Sequence, residues 1–310
     1  MPKESFPIET ETDALDVQLN ARQEIEVAGG TAEVTDITPE KLKDEVPVFF
    51  APAWACTTEV YKPALKTLAE QERRVITLDH PRRGGDMSAA PEEAVQKYPK
   101  EEVRKALNIL GVLEEKNVEK TDVIAHSEGA VNALIAASLY PEKFRNIVLF
   151  GPAGLIGEDT FTRLFQGFLG QNKRAESLKA HEGEESSWEE IPVTEREKQV
   201  GAKAASEAVK YLAKNPMRAL SEARGMAKTQ VHDLLKYLSE KGIGVVVMSG
   251  VDDPVFPQER IQGMVKAGEI KGYLSLRGGH GAIGEHPEYM KAAEQMLSTM
   301  RDNSEKEEGE

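Results

Sequence analysis

The 310-residue chain is acidic, with 53 aspartate and glutamate residues against 39 lysine and arginine residues and a net charge of −14. This balance argues against binding to a nucleic-acid backbone or to an acidic membrane face, while a hydrophobic fraction of 40% is typical of a globular fold. One cysteine, an N-terminus without the apolar core of a signal peptide and no apolar run of membrane-spanning length predict a cytoplasmic protein without a membrane anchor or internal disulfide.

The first 45 residues predict a β-hairpin arm. The segments VQLNARQEIEV and TAEVTDI alternate apolar and polar residues on either side of the turn AGG. Alternation of period two is typical of half-buried strands, and a short turn that contains glycine joins antiparallel neighbours. We therefore expect residues 1–45 to supply an antiparallel pair at one edge of a sheet.

Short apolar runs then alternate with helical patterns up to residue 154. The runs PVFFAP, RVITLD, DVIAH and RNIVLF predict strands, and helices are expected from about Glu59 to Gln71, through EEVRKALNILGVLEEK, and from Gly129 to Leu139. Such alternation is typical of parallel βαβ units with helices on both faces. The sequence thus predicts an α/β fold with a doubly wound, mostly parallel β-sheet, and residues 1–154 as the first part of its core.

Between residues 155 and 242 the strand patterns stop and amphipathic helical patterns such as KQVGAKAASEAVKYLAKN take their place. This segment predicts a helical cap inserted into the core and lying over the functional site. The core resumes over residues 243–300, with strands in GVVVMSG and GYLSL. The charged ending RDNSEKEEGE, residues 301–310, predicts a disordered acidic tail.

The run Ala125-His126-Ser127-Glu128-Gly129 joins the strand DVIAH to a helix of small residues and forms a candidate nucleophile turn. A sharp strand-to-helix turn of the pattern G-x-S-x-G lifts a serine hydroxyl to the edge of a sheet. Its flanking residues are small because the turn is strained and crowded. Ala125 stands where the pattern has its first glycine, and Ser127 is the candidate nucleophile.

A serine becomes a good nucleophile when a base takes its proton and a carboxylate orients that base. Asp252 and Asp253 follow the strand GVVVMSG, and His280 follows the strand GYLSL in a glycine-rich loop. Either aspartate is a candidate acid, and Asp159, after the strand RNIVLF, is a third. The chain order Ser, Asp, His is the order expected of an α/β-hydrolase.

Over roughly residues 45–155 and 242–300 the chain resembles the α/β-hydrolase superfamily, of the single-domain kind with a helical cap. The segment PVFFAPAW resembles the strand and turn that carry half of the oxyanion hole, and RVITLDHPRRGGDMS is similar to the next strand and its D-x-P-G-x-G-x-S loop. The turn departs from the frequent His-Gly pattern, because Pro52-Ala53 precedes Trp54.

Two further segments select between neighbouring candidates. SGVDDPVFP resembles the family's G-x-x-D-x-(apolar)-x-P acid loop, which selects Asp253 over Asp252. GGHGAIGEHPE resembles the family's G-G-H-x-x-x-x-E-x-P ending, which selects His280 over His286.

The resemblance implies a mechanism in which Ser127 attacks an acyl carbon, His280 moves its proton and Asp253 orients the imidazole. The backbone N–H groups of Trp54 and Glu128 would form the oxyanion hole. The Glu128 side chain either tunes the charge of the pocket or faces solvent. The residues expected to line the substrate pocket are Phe161, Phe165 and Phe256. For Phe161 and Phe165, packing between cap and core is the alternative.

Other candidates have structural explanations. His126 is expected to be a pocket or packing residue, His286 precedes Pro287 at a helix start, and Cys56 lacks a histidine pattern and is expected to be a buried small residue. His80 lies near the same edge of the sheet. Histidines are scattered and no H-E-x-x-H or paired-cysteine spacing occurs, so the sequence predicts neither a metal nor a cofactor.

These observations predict a serine hydrolase that cleaves an ester or related acyl bond of a small molecule through a covalent acyl-enzyme. Two alternatives stay open. The same three residues could act on another bond, as in carbon–carbon hydrolases, aminopeptidases, acyltransferases and cofactor-free perhydrolases, or the fold could serve a ligand-binding or receptor protein of low turnover. The sequence leaves the substrate and the oligomeric state open.

Overall fold

The structure is a computed structural model that describes residues 13–81, 87–88, 90–157, 159–160, 162–164, 166–167, 195–265 and 268–309. It contains one mixed sheet of eight strands. In chain order these are β1 (Gln23–Val27), β2 (Gly30–Ile37), β3 (Asp44–Ala51), β4 (Arg73–Asp79), β5 (Thr121–His126), β6 (Phe144–Phe150), β7 (Gly244–Gly250) and β8 (Gly272–Leu276).

Six of the strands form a parallel sheet, as the alternation of strands and helices predicted. The spatial order is β1-β2-β4-β3-β5-β6-β7-β8, with β3 to β8 parallel and β1 and β2 antiparallel at one edge. The edge hairpin pairs Val27 with Gly30, as expected for the arm. Because the carboxyl ends of parallel strands lie at one edge, the loops after β5, β7 and β8 meet there.

Helices cover both faces of the sheet. They are α1 (Ala14–Asn20), α2 (Thr58–Ala69), α3 (Glu92–Lys97), α4 (Lys100–Glu115), α5 (Glu128–Leu139), a 3-10 turn (Pro141–Lys143), α6 (Glu195–Lys214), α7 (Pro216–Lys228), α8 (His232–Glu240), α9 (Gln258–Met264), α10 (Ala282–Glu285) and α11 (Tyr289–Gly309). Alternate strand residues face opposite sides, so Phe49 packs in the apolar cluster under α4, α5 and α8, while Phe50 packs in the cluster under α2 and α11. The sheet is therefore doubly wound.

Helix α1 differs from the sequence expectation, which included VQLN in the hairpin arm. These residues form the second half of α1, and the side chain of Asp13 caps its first turn by accepting a hydrogen bond from the N–H of Leu15 at 2.9 Å. Leu19 is buried in the same cluster as α2. An N-cap and one buried leucine favour a helix over a strand of alternating residues here.

The two ends of the insertion between β6 and β7 lie next to each other. The N–H of Val231 donates to the carbonyl of Gly154 at 3.0 Å, so the segment between them returns to its starting point. Helices α6 and α7 belong to this segment, and residues 158, 161, 165 and 168–194 lie outside the described part of the chain. The buried leucines of α8 pack in the core cluster with α5, so the last residues of the range 155–242 expected for the cap pack with the sheet.

The C-terminal residues differ from the expected disordered tail, because α11 continues to Gly309. Met300 is buried in the core, and the guanidinium of Arg301 binds the carboxylate of Asp44 at 2.8 Å. These two contacts hold the turn of α11 around residues 300 and 301, and the last two turns of the helix continue from it. Among the described residues, we find no helix that combines the length and the apolar character needed to cross a membrane.

Salt bridges tie together the amino ends of the central strands, at the edge opposite the loops after β5, β7 and β8. Asp44, Arg73, Asp122, Arg145 and Arg301 form this basal ion cluster. Arg73 and Asp122 are fully buried and 2.7 Å apart. A buried charge is tolerated when it is paired and hydrogen-bonded, and here each carboxylate binds at least two guanidinium groups.

Candidate active site

Ser127 occupies a strained turn between β5 and α5. Its backbone has φ 56° and ψ −120°, a conformation that residues other than glycine rarely adopt. The turn is fixed on both sides, because the N–H of Ser127 donates to the carbonyl of Phe150 at 3.0 Å and its own carbonyl accepts from Ala153 at 3.1 Å. The conformation is the one expected of a nucleophile turn, and it points the serine side chain toward the loops beyond the strand ends.

Gly129, two residues after the serine, allows α5 to approach the loop after β3. A Cβ atom at Gly129 would lie 2.3 Å from the carbonyl oxygen of Ala51 and 2.7 Å from that of Pro52. Ala125, at the first position of the pattern, pairs with Ala51 in the sheet and is buried in the core. A methyl group fits at residue 125, whereas residue 129 has no room for one.

His280 lies within hydrogen-bond distance of the serine. Its Nε2 atom is 2.9 Å from the Oγ of Ser127, and the loop that carries it follows β8. This loop packs directly on the end of β7, since a Cβ at Gly250 would lie 2.4 Å from the carbonyl oxygen of Gly278. Gly278 has φ 105°, which favours glycine. The glycines around His280 thus permit the close approach of two loops.

Asp253 completes the arrangement. One carboxylate oxygen is 2.8 Å from the Nδ1 of His280, and the other accepts the backbone N–H groups of Val255 at 2.8 Å and Phe256 at 2.9 Å. A carboxylate can only accept, so Nδ1 of His280 carries the proton and Nε2 accepts from the hydroxyl of Ser127. We refer to Ser127, His280 and Asp253 as the Ser-His-Asp line.

Of the three candidate carboxylates, that of Asp253 is the one bonded to the Nδ1 of His280, at 2.8 Å. The carboxylate of Asp159 binds the guanidinium of Arg163 at 2.8 Å.

Three other histidines considered from the sequence have different partners. His126 contacts Tyr61 and the backbone of His280. His80 lies 3.3 Å from Asn108, and burial lowers the pKa of its imidazole well below the ordinary value. His286 binds Glu288 at 3.1 Å.

Two backbone N–H groups lie where the loop after β3 meets the start of α5. Glu128 is the first residue of α5, and the first N–H groups of a helix have no acceptor within the helix. Trp54 follows Ala51 and Pro52, which contact Gly129. Ala55, after Trp54, has φ 59°, so the loop turns sharply there.

The side chain of Glu128 is buried and does not face solvent. Its carboxylate binds the ammonium of Lys105 at 2.6 Å, and Lys105 lies 3.5 Å from Glu222 of the insertion. Burial raises the pKa of Glu128 against the effect of Lys105. Glu222 also accepts from the indole N–H of Trp54 at 3.1 Å and the hydroxyl of Tyr211 at 2.7 Å.

Lys105 and Glu222 are not among the residues predicted from the sequence, although a signal for them exists. Each lies at helical spacing from buried apolar residues, Lys105 from Ile109 and Glu222 from Met226. A charge on an apolar face requires a buried partner. The partner itself is distant along the chain and is not visible in the pattern.

A pocket of about 30 Å³ lies between the loop after β3 and the side chain of Glu128. Its walls include Ala53, Cys56, Lys105, Glu128, Tyr211 and Glu222. Burial raises the pKa of the Cys56 thiol to about 12, so this cysteine stays protonated and unreactive. A larger groove of about 380 Å³ lies between α1 and α2, away from Ser127.

Of the three aromatic residues expected at the substrate pocket, only Phe256 lies in the described part of the chain. Its ring is buried, with its centroid 5.1 Å from that of His280. It therefore packs against the candidate base. Phe161 and Phe165 lie outside the described residues. Within the described ranges, no group of three or more histidine, cysteine, aspartate or glutamate residues could hold a metal ion.

Comparisons with solved structures give the same fold at low sequence identity. A thermophilic esterase from Thermogutta terrifontis matches with a TM-score of 0.60 and 20% identity over 90% of this chain and 99% of its own. The enol-lactonase from Burkholderia xenovorans LB400 matches with a TM-score of 0.60 and 14% identity, covering 90% and 98%. A bromoperoxidase from Bacillus anthracis has a TM-score of 0.60 and 17% identity, covering 90% and 100%.

None of the curated proteins compared with the chain matches it. The sequence profile described as alpha/beta hydrolase fold matches residues 46–287, a range that contains the parallel sheet except for the first two residues of β3, and the whole Ser-His-Asp line. The chain belongs to the α/β-hydrolase fold family.

Proposed function

We propose that the protein is a serine hydrolase that cleaves an ester or related acyl bond of a small molecule. The Ser-His-Asp line carries this proposal, since Ser127 Oγ, His280 Nε2, His280 Nδ1 and Asp253 Oδ2 are joined by contacts of 2.9 and 2.8 Å. All three side chains are buried at the carboxyl edge of the parallel sheet. A serine hydroxyl that is hydrogen-bonded to a histidine in this way can give its proton to the imidazole when it attacks.

The chemistry follows from these contacts. His280 Nε2 takes the proton of Ser127 as Oγ attacks the acyl carbon, and the imidazolium then gives this proton to the leaving alcohol as the carbon–oxygen bond breaks. Water repeats the sequence on the acyl-enzyme, releasing the acid and restoring the serine. Asp253 holds the imidazole in the required tautomer and stabilises its charge.

The backbone N–H groups of Trp54 and Glu128 would bind the oxyanion that forms during each attack. Such a donor lowers the barrier by about 3 kcal/mol in related reactions. Because the donors are backbone groups, the change from His-Gly to Pro52-Ala53 in the preceding loop does not remove them.

Similar structures support an acyl substrate, because the matches include an esterase and an enol-lactonase. The proposal requires neither a metal nor a cofactor, and it places the reaction in the cytoplasm, where a single free cysteine stays reduced.

Active-site labelling tests the proposal. A fluorophosphonate probe should label the protein, peptide mapping should find the adduct on Ser127, and Ser127→Ala should abolish both labelling and hydrolysis of p-nitrophenyl acetate and butyrate. Ser138→Ala, in the last turn of α5, is the matched control and should be labelled like the wild type. Wild-type protein that is neither labelled nor active on either ester contradicts the proposal. Strong labelling without ester turnover would instead favour another bond or a receptor role.

A further inference from the structure

A second set of hydrogen bonds runs beside the Ser-His-Asp line, through the side chains of Tyr61 and His126. The hydroxyl of Tyr61 is 2.7 Å from the Nδ1 of His126, and the Nε2 of His126 is 2.8 Å from the backbone carbonyl oxygen of His280. The N–H of Ala53 donates to the Tyr61 oxygen at 3.3 Å. Tyr61 is 1% exposed and His126 is 4% exposed, so water does not compete for these bonds.

The direction of each bond follows from the acceptor at its end. The carbonyl of His280 can only accept, so the Nε2 of His126 carries the proton and the Nδ1 accepts from the Tyr61 hydroxyl. The Tyr61 oxygen then accepts from the Ala53 N–H. This arrangement needs a neutral imidazole, and burial, together with the nearby His280, lowers the pKa of His126 well below its ordinary value.

The groups around His126 agree with a neutral ring. The aromatic rings of Tyr61, Phe150 and His280 surround it, with centroid distances of 5.8, 6.1 and 4.9 Å. The thiol of Cys56, beside Tyr61, is protonated, as its raised pKa of about 12 requires. No carboxylate in the described residues hydrogen-bonds to this imidazole.

The bonds join the three parts of the site that come from distant stretches of chain. His126 directly precedes Ser127, His280 carries the base, and Ala53 precedes Trp54 in the oxyanion loop. We propose that Tyr61 and His126 are positioning residues that hold the nucleophile turn, the histidine loop and the oxyanion loop at a fixed separation. The inference rests on the proposed function, because a fixed separation matters only when these groups react together.

Positioning predicts a particular kinetic result. A loss of alignment lowers the rate of the chemical step, whereas substrate binding changes little. In His126→Leu, which keeps apolar volume but cannot donate, kcat for p-nitrophenyl acetate should fall roughly 100-fold, with KM within about threefold. His126→Gln, whose amide can still donate to the His280 carbonyl, should recover about tenfold of that loss.

Tyr61→Phe removes one oxygen and keeps the ring, so it tests the same bonds with little effect on packing. Its kcat should fall about tenfold, as expected for one lost hydrogen bond. Val148→Ala is the matched control for stability, because Val148 is fully buried in the same core cluster as Tyr61 and makes no side-chain hydrogen bond. It should lower Tm and leave kcat within about twofold of the wild type.

The outcomes separate this inference from the proposed function. Wild-type protein without Ser127 labelling or turnover overturns both. If the wild type is active, the positioning role alone is overturned when His126→Leu and Tyr61→Phe keep the wild-type kcat, or when His126→Gln restores no more activity than His126→Leu. It is also overturned when Val148→Ala loses as much kcat per degree of lowered Tm as His126→Leu and Tyr61→Phe do. A fall in kcat with KM preserved and rescue by Gln supports the role.

Discussion

One position in the loop after β7 decides which of two adjacent aspartates binds the imidazole of His280. Asp252 and Asp253 follow the same strand, and it is the carboxylate of Asp253 that lies 2.8 Å from the Nδ1 of His280. The reason is local, because the second oxygen of Asp253 accepts two backbone N–H groups from the turn that begins with it. These bonds fix the side chain of Asp253 independently of its contact with His280.

Replacing the two aspartates in turn tests this assignment. Asp253→Asn should lower kcat roughly 10⁴-fold, because an amide leaves the imidazole in the wrong tautomer and does not stabilise its charge. Asp252→Asn is the matched control and should keep kcat within about threefold. Steady-state kinetics with p-nitrophenyl acetate measures both. The reverse order of effects would mean that Asp252 is the acid.

The three residues of the Ser-His-Asp line could be predicted from the sequence, because each follows a strand in a loop with its own glycine or proline pattern. The partners of Tyr61 and Lys105 could not. Tyr61 has the pattern of one more apolar position of α2, and Lys105 is a charge on the apolar face of α4 whose buried partner the pattern does not reveal. Their roles arise from contacts with His126 and Glu128, which are 65 and 23 residues away in the chain.

At the scale of the elements, the site depends on how closely α5 approaches the end of β3. Gly129 permits this approach, because its hydrogen atom faces two carbonyl oxygens that a methyl group would strike. The strand order that brings β3 beside β5 could be expected for parallel βαβ units. The distance between α5 and the loop after β3 could not be expected, because the periodicity of apolar residues does not determine how closely two segments approach.

Moving one methyl group between the two small positions of the turn tests this fit. Gly129→Ala should lower kcat/KM roughly 100-fold, because displacement of the oxyanion loop misplaces a donor N–H. Ala125→Gly, which restores the usual glycine, should cost about 1 kcal/mol of stability and keep kcat/KM within about threefold. Activity assays and urea unfolding measure the two effects. Equal kcat/KM in Gly129→Ala and wild type would contradict the role of this contact.

At the scale of the whole molecule, the two edges of the sheet carry different groups of polar residues. The carboxyl edge carries the strained serine and the neutral His126, whereas the amino edge carries the basal ion cluster. In that cluster, burial alone would raise the pKa of Asp44, but hydrogen bonds from Arg145 and Val46 and the charge of Arg73 hold it at about 2. The sequence did not indicate this cluster, because its five members come from five separate elements.

The lowered pKa of Asp44 predicts how stability responds to acid. A carboxyl whose pKa is lower in the folded state stabilises the fold above about pH 4 and loses this contribution as pH falls toward 2. Asp44→Asn should therefore lower the free energy of unfolding by about 2 kcal/mol at pH 7, and the difference from wild type should shrink between pH 4 and 2. Urea unfolding across this range measures it.

Asp233→Asn, in an exposed pair with Lys97, is the control and should change stability by less than about 0.5 kcal/mol at pH 7. A constant difference between Asp44→Asn and wild type from pH 7 to pH 2 would show that the ion pairs of Asp44 do not drive acid unfolding.

The hydrogen bond between Gly154 and Val231 has a consequence for how such a protein can diversify. The insertion leaves and rejoins the core at neighbouring residues, because Gly154 and Val231 are hydrogen-bonded. Proteins tolerate the insertion or replacement of segments whose two ends lie close together. A transplanted insertion would meet the same two attachment points and the same reacting groups. The insertion can therefore change without any change in the Ser-His-Asp line.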